Sequence, residues 1–232
     1  MCEDLIEFDT FTNAFDSLQT AHRVLEWDGN RKWKWFAISI HHALYMFCTN
    51  AIHFSNYELV LQQRGRHPDR GLFLRRDEDE NYLVSSTEYV REDQPAYEIV
   101  WEETEDEPPE GGNNNGNNNE WLINIWSALA RVQDGVFWMN RMVYTEPIEL
   151  TDEEWDATIY LTNQIRNRLA HFVPRTYVFH IDDFRINGLH VLNIIRKLVD
   201  DSRAIDYPVD DTQEWIDRTG ELIVTLNERL NA

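Results

Sequence analysis

Apolar residues recur every three or four positions at both ends of the chain and lose that rhythm in the middle. Phe8, Phe11, Phe15, Leu18, Val24 and Leu25 form one helical stripe over Phe8–Trp27, which Gly29 ends. A second helix is predicted over Arg31–Phe54, with Trp33, Phe36, Ile40, Leu44, Phe47 and Ala51 in line. Further apolar residues beside that line mark a helix buried on more than one side. The rhythm resumes at Glu120, where Trp121, Leu122, Ile125, Leu129, Val132, Val136, Met139 and Val143 predict a long helix ending before Pro147. Thr151-Asp152-Glu153-Glu154 has the form of a capping box, with Thr151 as N-cap and Glu154 at N3. The helix it opens runs through Trp155, Thr158, Leu161, Ile165, Leu169 and Phe172, and Pro174 ends it near Val173. A short β-like piece, Thr176–Ile181, then precedes helices over Asp182–Val199 and Thr212–Leu230.

The middle reads differently. His67-Pro68-Asp69-Arg70-Gly71 marks a turn, Arg75–Glu80 is a charge run, and Tyr82–Val90 and Tyr97–Trp101 are candidate strands. Glu102–Glu110 is acidic, and Gly111–Asn119 is a glycine and asparagine linker that cannot bury anything. The expected fold is therefore all-α, an up-and-down bundle with four long helices as its core. One domain spans 1–232 and carries an irregular, β-containing insertion at 56–119.

Charge alters the picture of partners. The chain holds 42 Asp+Glu against 21 Lys+Arg, a formal charge of −21. Only Lys32, Lys34 and Lys197 are lysines, which leaves 18 arginines. An acidic, lysine-poor surface suits a salt-rich cytoplasm, where the Debye length falls to about 3 Å at 1 M. Such screening relaxes repulsion from nucleic acid and weakens phosphate attraction together. A hydrophobic content of 42% excludes wholesale disorder. No run approaches the roughly 18 apolar residues of a spanning helix, and Met1-Cys2-Glu3-Asp4 does not read as a signal peptide. Cys2 and Cys48 make neither a disulfide framework nor a zinc spacing. The expectation is a soluble cytoplasmic protein with no membrane partner.

Candidate chemistry concentrates at the end of the capped helix, in Arg166-Asn167-Arg168-Leu169-Ala170-His171. An arginine, a polar residue directly after it and a histidine five positions on resemble the RNase motif of the HEPN superfamily. Some HEPN families carry an Arg-Asn-x-x-x-His-Phe-x-Pro run similar to the one within Ile165–Pro174 here. The likeness is close over those residues and loose over the helices, and the 56–119 insertion departs from it. With 18 Arg and 8 His the bare spacing arises by chance about 0.6 times. It recurs at Arg175…His180, in the β-like piece, and at Arg185…His190, where no polar residue follows the arginine. Only Arg166…His171 combines asparagine, helical phase and a terminating proline.

The resemblance implies a metal-independent endoribonuclease, without cofactor, leaving 2′,3′-cyclic phosphate and 5′-hydroxyl ends. It also implies a homodimer whose paired motifs surround one scissile phosphate of RNA. A toxin or antiviral-defence role follows by analogy, with an antitoxin or nucleotidyltransferase as partner. The alternative is a non-catalytic HEPN-like binding module in such a complex. The residue types suit the chemistry. Histidine titrates near neutrality, and the planar fork of arginine fits a phosphate gaining charge. Arg166, Asn167 and His171 are thus the candidate catalytic residues.

Ideal helical phase sends Thr158, Leu161, Ile165, Leu169 and Phe172 one way and Asn167 and His171 nearly opposite, with Arg166 on the flank. Arg168 and Arg175 are candidates for holding RNA backbone, or equally for pairing with acids. His42 and Tyr45 are candidates for lining the same groove, since their helix should neighbour the motif helix. His42 and His53 share a face but stand three turns apart, too far to hold one metal unaided. Trp33-Lys34-Trp35 can stack bases, although tryptophan more often packs, and Trp33 and Trp35 are expected to be buried.

Overall fold

The computed structural model describes residues 9–53, 57–60, 74–76, 82–84, 122–133, 139, 144–170 and 176–232. Within them the chain is mostly helical. Asp9 starts α1 (Thr10–Val24) by accepting the Thr12 N–H at 2.6 Å, while the Thr12 hydroxyl accepts the Asp9 N–H at 3.2 Å. This capping box sets the start of the helix two residues inside the Phe8–Trp27 run. After Gly29, whose φ of 76° suits a residue without Cβ, α2 (Arg31–His53) crosses back along α1. As its pattern predicts, α2 is buried on several sides, with Phe36, Ile40, Leu44, Phe47 and Cys48 fully enclosed.

The described parts of the insertion are a one-turn 3-10 helix (Tyr57–Val60) and a hairpin of β1 (Leu74–Arg76) and β2 (Tyr82–Val84). The strands pair antiparallel, with Arg75 opposite Leu83. Tyr82–Val84 is thus a strand, while the rest of Tyr82–Val90, and Tyr97–Trp101, lie outside the described residues. The chain returns where Ile123 N–H donates to the Val60 carbonyl at 2.9 Å and the buried Arg131 donates to the Leu59 carbonyl.

That return shortens the helix expected from Glu120. α3 spans Ile125–Gln133, because Ile123 is committed to Val60 and the Asn124 side chain accepts the Ser127 N–H at 2.8 Å. An asparagine in that position ends one conformation and starts a helix. Of the residues expected to continue it to Val143, only Met139 is described, and it is buried.

α4 (Asp152–Ile159) begins as read from the sequence. Thr151 Oγ1 accepts the Glu154 N–H at 3.3 Å, and Glu154 returns the bond to the Thr151 N–H at 2.9 Å. The helix continues without a break as a π segment (Tyr160–Arg166) and a closing α turn, α5 (Asn167–Ala170). Thr176–Ile181 is not a strand. Tyr177 and Phe179 turn inward and Val178 is exposed, an alternation with no partner strand among the described residues to complete a ladder. Ile181 instead opens α6 (Ile181–Arg196), which ends in a second π segment (Lys197–Asp201), and α7 (Thr212–Asn231) follows.

α2 is the hub, packed against α1, α3, α6 and the first π segment. Gly188 of α6 lets that helix close on α2, since a Cβ there would stand 2.7 Å from the Phe36 ring. Phe11 and Phe15 meet Trp215 of α7 at 5.5 and 5.2 Å between ring centres. Buried Asn50 donates to Thr10 Oγ1 and accepts the Asp206 N–H, tying α1 and the strand-free chain before α7 to the hub. No described helix is long and apolar enough to cross a membrane.

Candidate functional site

The motif helix changes pitch just before the motif. The Asn167 N–H donates to the Thr162 carbonyl, five residues back. Each residue of a π turn advances less around the axis than one of an α turn. Arg166 closes this π segment, in which Leu161, Thr162 and Ile165 are buried and which packs on α2. Arg166 and Asn167 are both half-buried, and Arg166 Nη1 donates to Asn167 Oδ1 at 2.8 Å.

The charge of Arg166 reaches two imidazoles of α2, the helix packed on this segment. His41 is 8% exposed, and its Nε2 has no hydrogen-bond partner among the described residues. Burial, then the Arg166 guanidinium and His42, push its pKa down to about 3, so His41 is neutral. His42 is exposed, but its Nδ1 lies 2.7 Å from Oγ of the buried Ser17 on α1. Dehydration around the ring is the first cause that lowers its pKa and Arg166 the second, while Asp16 opposes them.

Ser17 Oγ also lies 2.8 Å from the Asn13 carbonyl, so its hydroxyl stands between that carbonyl and the His42 ring and ties the imidazole to α1.

No carboxylate lies within ion-pair distance of Arg166 among the described residues. A half-buried guanidinium bonded to an amide oxygen, with no carboxylate partner among the described residues, has donors available for an anion.

The other candidates divide. His171 and Arg175 lie outside the described residues. Arg168 is exposed on a different side of the helix, where it donates to Gln164 Oε1 and lies 5.8 Å over the Tyr177 ring. It lines an open cleft of about 650 Å³ with Tyr160, Gln164, Phe179, Asp183 and Asn187, and Arg166 is not part of it. Tyr45 is half-buried and donates to the Ile123 carbonyl at 2.6 Å, which engages it at the junction with α3. Burial, with Cys48 behind it, raises its pKa to about 12.

No family model, curated protein or solved structure matches this chain. What Arg166 and its neighbours can do therefore follows from their chemistry. A fork of N–H donors anchored by Asn167 suits a phosphate whose oxygens gain charge during reaction, and an unprotonated imidazole nitrogen can take a proton.

Sequence reading missed Ser17, whose contact with His42 joins residues 25 apart on two helices. It also placed Trp35 inside, whereas Trp35 is 44% exposed beside Lys34. Trp33 is half-buried against Phe36 and Phe184. Among the described residues no group of three or more His, Cys, Asp or Glu could hold a metal ion.

Proposed function

We propose that this chain is a metal-independent endoribonuclease of the HEPN type, cytoplasmic and active as a homodimer, serving as a toxin or defence effector. In this reading Arg166 holds the scissile phosphate, Asn167 holds Arg166, and His171 protonates the leaving 5′-oxygen. The products are a 2′,3′-cyclic phosphate and a 5′-hydroxyl. The observation that supports it most is the half-buried Arg166 guanidinium, braced by Asn167 on a segment packed against α2, without a carboxylate partner among the described residues.

RNA cleavage with EDTA present, at low and at molar salt, tests this. Wild type should cleave, Arg166→Ala should lose about 10²- to 10³-fold in kcat, and His171→Ala should lose activity while keeping its fold by circular dichroism. Cleavage that survives both substitutions would sink the assignment. The net charge of −21 favours a second reading, a non-catalytic module that binds an antitoxin or nucleotidyltransferase through the same face. Absence of cleavage by wild type at every salt concentration would select it.

A further inference from the structure

We propose that the start of α2 and the turn before it form a stacking platform for single-stranded RNA. Trp27 and Trp35 take bases, and Arg31, Lys32 and Lys34 take the phosphates between them. RNA as the partner rests on the ribonuclease reading above, but the surface uses no residue of the motif helix and stands on its own contacts.

Two indoles are left outside the core here. Trp27 is 41% and Trp35 44% exposed, whereas Trp155 is buried and Trp33, Trp126 and Trp215 pack against the core. Each exposed indole carries a cation over its ring. The Arg31 guanidinium lies 5.7 Å from the centre of Trp27, and Lys34 Nζ lies 5.2 Å from that of Trp35. Arg31 and Trp35 are four residues apart on α2 and so share a face one turn apart, which makes Arg31 the link between the two indoles. Lys32 lies 5.5 Å over Trp33, whose ring packs against Phe36 at 6.1 Å and Phe184 at 5.8 Å between ring centres. Those contacts fix this turn of the helix to the core, so little has to be ordered when a strand arrives.

Charge points the same way. Residues 23–35 hold Arg23, Arg31, Lys32 and Lys34 against Glu26 and Asp28, and Glu26 is engaged by Arg229 of α7 at 2.7 Å. Two of the three lysines of a chain with a charge of −21 stand in this one turn. The helices α4, α6 and α7 open with acids, as the helix dipole favours, while α2 opens with three cations and no acid. That placement costs α2 stability, and a bound anion reverses the cost.

Indoles and cations alternate here as bases and phosphates alternate along a strand, and each indole that stacks a base leaves its cation beside the backbone. An unpaired strand fits because its bases can splay out to stack, which those of a duplex cannot. An anionic membrane fits less well. A bilayer is an extended plane that would bring the acidic surface around the patch, beginning with Asp28, within a Debye length of about 8 Å. A strand meets only this row.

Fluorescence anisotropy of a labelled 2′-O-methyl RNA of about 12 nucleotides, which lacks the attacking hydroxyl, measures binding by the full chain without cleavage. Wild type should bind at about 50 mM salt. Trp35→Ala should weaken binding about tenfold, and Trp27→Ala with Trp35→Ala about 10²-fold, with the salt dependence unchanged. Lys34→Gln should instead lower the slope of log affinity against log salt by about 0.7. Trp35→Phe should keep most of the affinity because it keeps a stacking face, and all variants should melt as wild type does by circular dichroism. Absence of binding by wild type, or binding by the double variant within about threefold of wild type, overturns the platform. Pelleting with phosphatidylserine vesicles in place of RNA binding would assign the patch to a membrane and overturn it too. If wild type cleaves RNA while the double variant binds normally, the platform falls and the ribonuclease reading stands. If the oligonucleotide binds through the two indoles and no RNA is cut, that reading falls and the platform stands.

Discussion

The two ends of the motif helix each bring a charged side chain to the helices behind it, and they treat that charge in opposite ways. At the start, Glu154 is 1% exposed and fully compensated. Its carboxylate receives Lys197 Nζ at 2.6 Å, the Asn193 amide and the Thr151 N–H, and Lys197 also donates to the Glu149 carbonyl. At the far end, Arg166 meets an amide oxygen, and its charge reaches two imidazoles that burial first and Arg166 second keep from protonating. A buried charge that serves the fold is surrounded by its complement, because desolvation is otherwise too costly. One facing groups that do not neutralise it costs stability and gains something else, here the capacity to receive an anion.

Substitutions can break this contrast. The largest effect should come from Lys197→Met, which strands the Glu154 carboxylate and should cost about 3–5 kcal/mol in urea unfolding. Next is the dependence on pH at the other end. His41 has a folded pKa of about 3, below the ordinary value near 6.5, so the unfolded chain binds a proton that the folded one refuses. Its contribution is fully present above about pH 6.5 and is lost as pH falls toward about 3. Within that window wild type should lose up to about 1.4 kcal/mol more per pH unit than His41→Gln, measured by urea unfolding at pH 7 and pH 5.

Thr151→Ala should cost about 1 kcal/mol by removing the acceptor of the Glu154 N–H. The smallest change in stability should follow Arg166→Met, within about 1 kcal/mol in either direction, since among the described residues no partner carboxylate is left behind. A loss above about 2 kcal/mol for that variant would make Arg166 a structural ion like Glu154 and erase the contrast.

The same two ends show how much could be read in advance. The capping box was legible because all its atoms come from four consecutive residues. The extents of α2 and α7 were legible too, since one face of each must be apolar to bury itself. The short start of α3 was hidden because it depends on Ile123 pairing with Val60, across the whole insertion. The missing strand at Thr176–Ile181 was hidden for the converse reason: alternation is local, but a strand needs a neighbour. Among the site residues, Arg166 and Asn167 stood out by motif, and His42 by the expected adjacency of two helices. Ser17 gave no signal at all.

Sequence alone determined that this chain is a helical, strongly acidic protein with one arginine, asparagine and histidine motif near a helix end, because periodicity, capping and motif spacing are short-range properties. Tertiary structure decided which helix packs on the arginine's segment and which imidazoles feel its charge. A π turn has no propensity signature of its own, so where it falls is set by what the helix packs against.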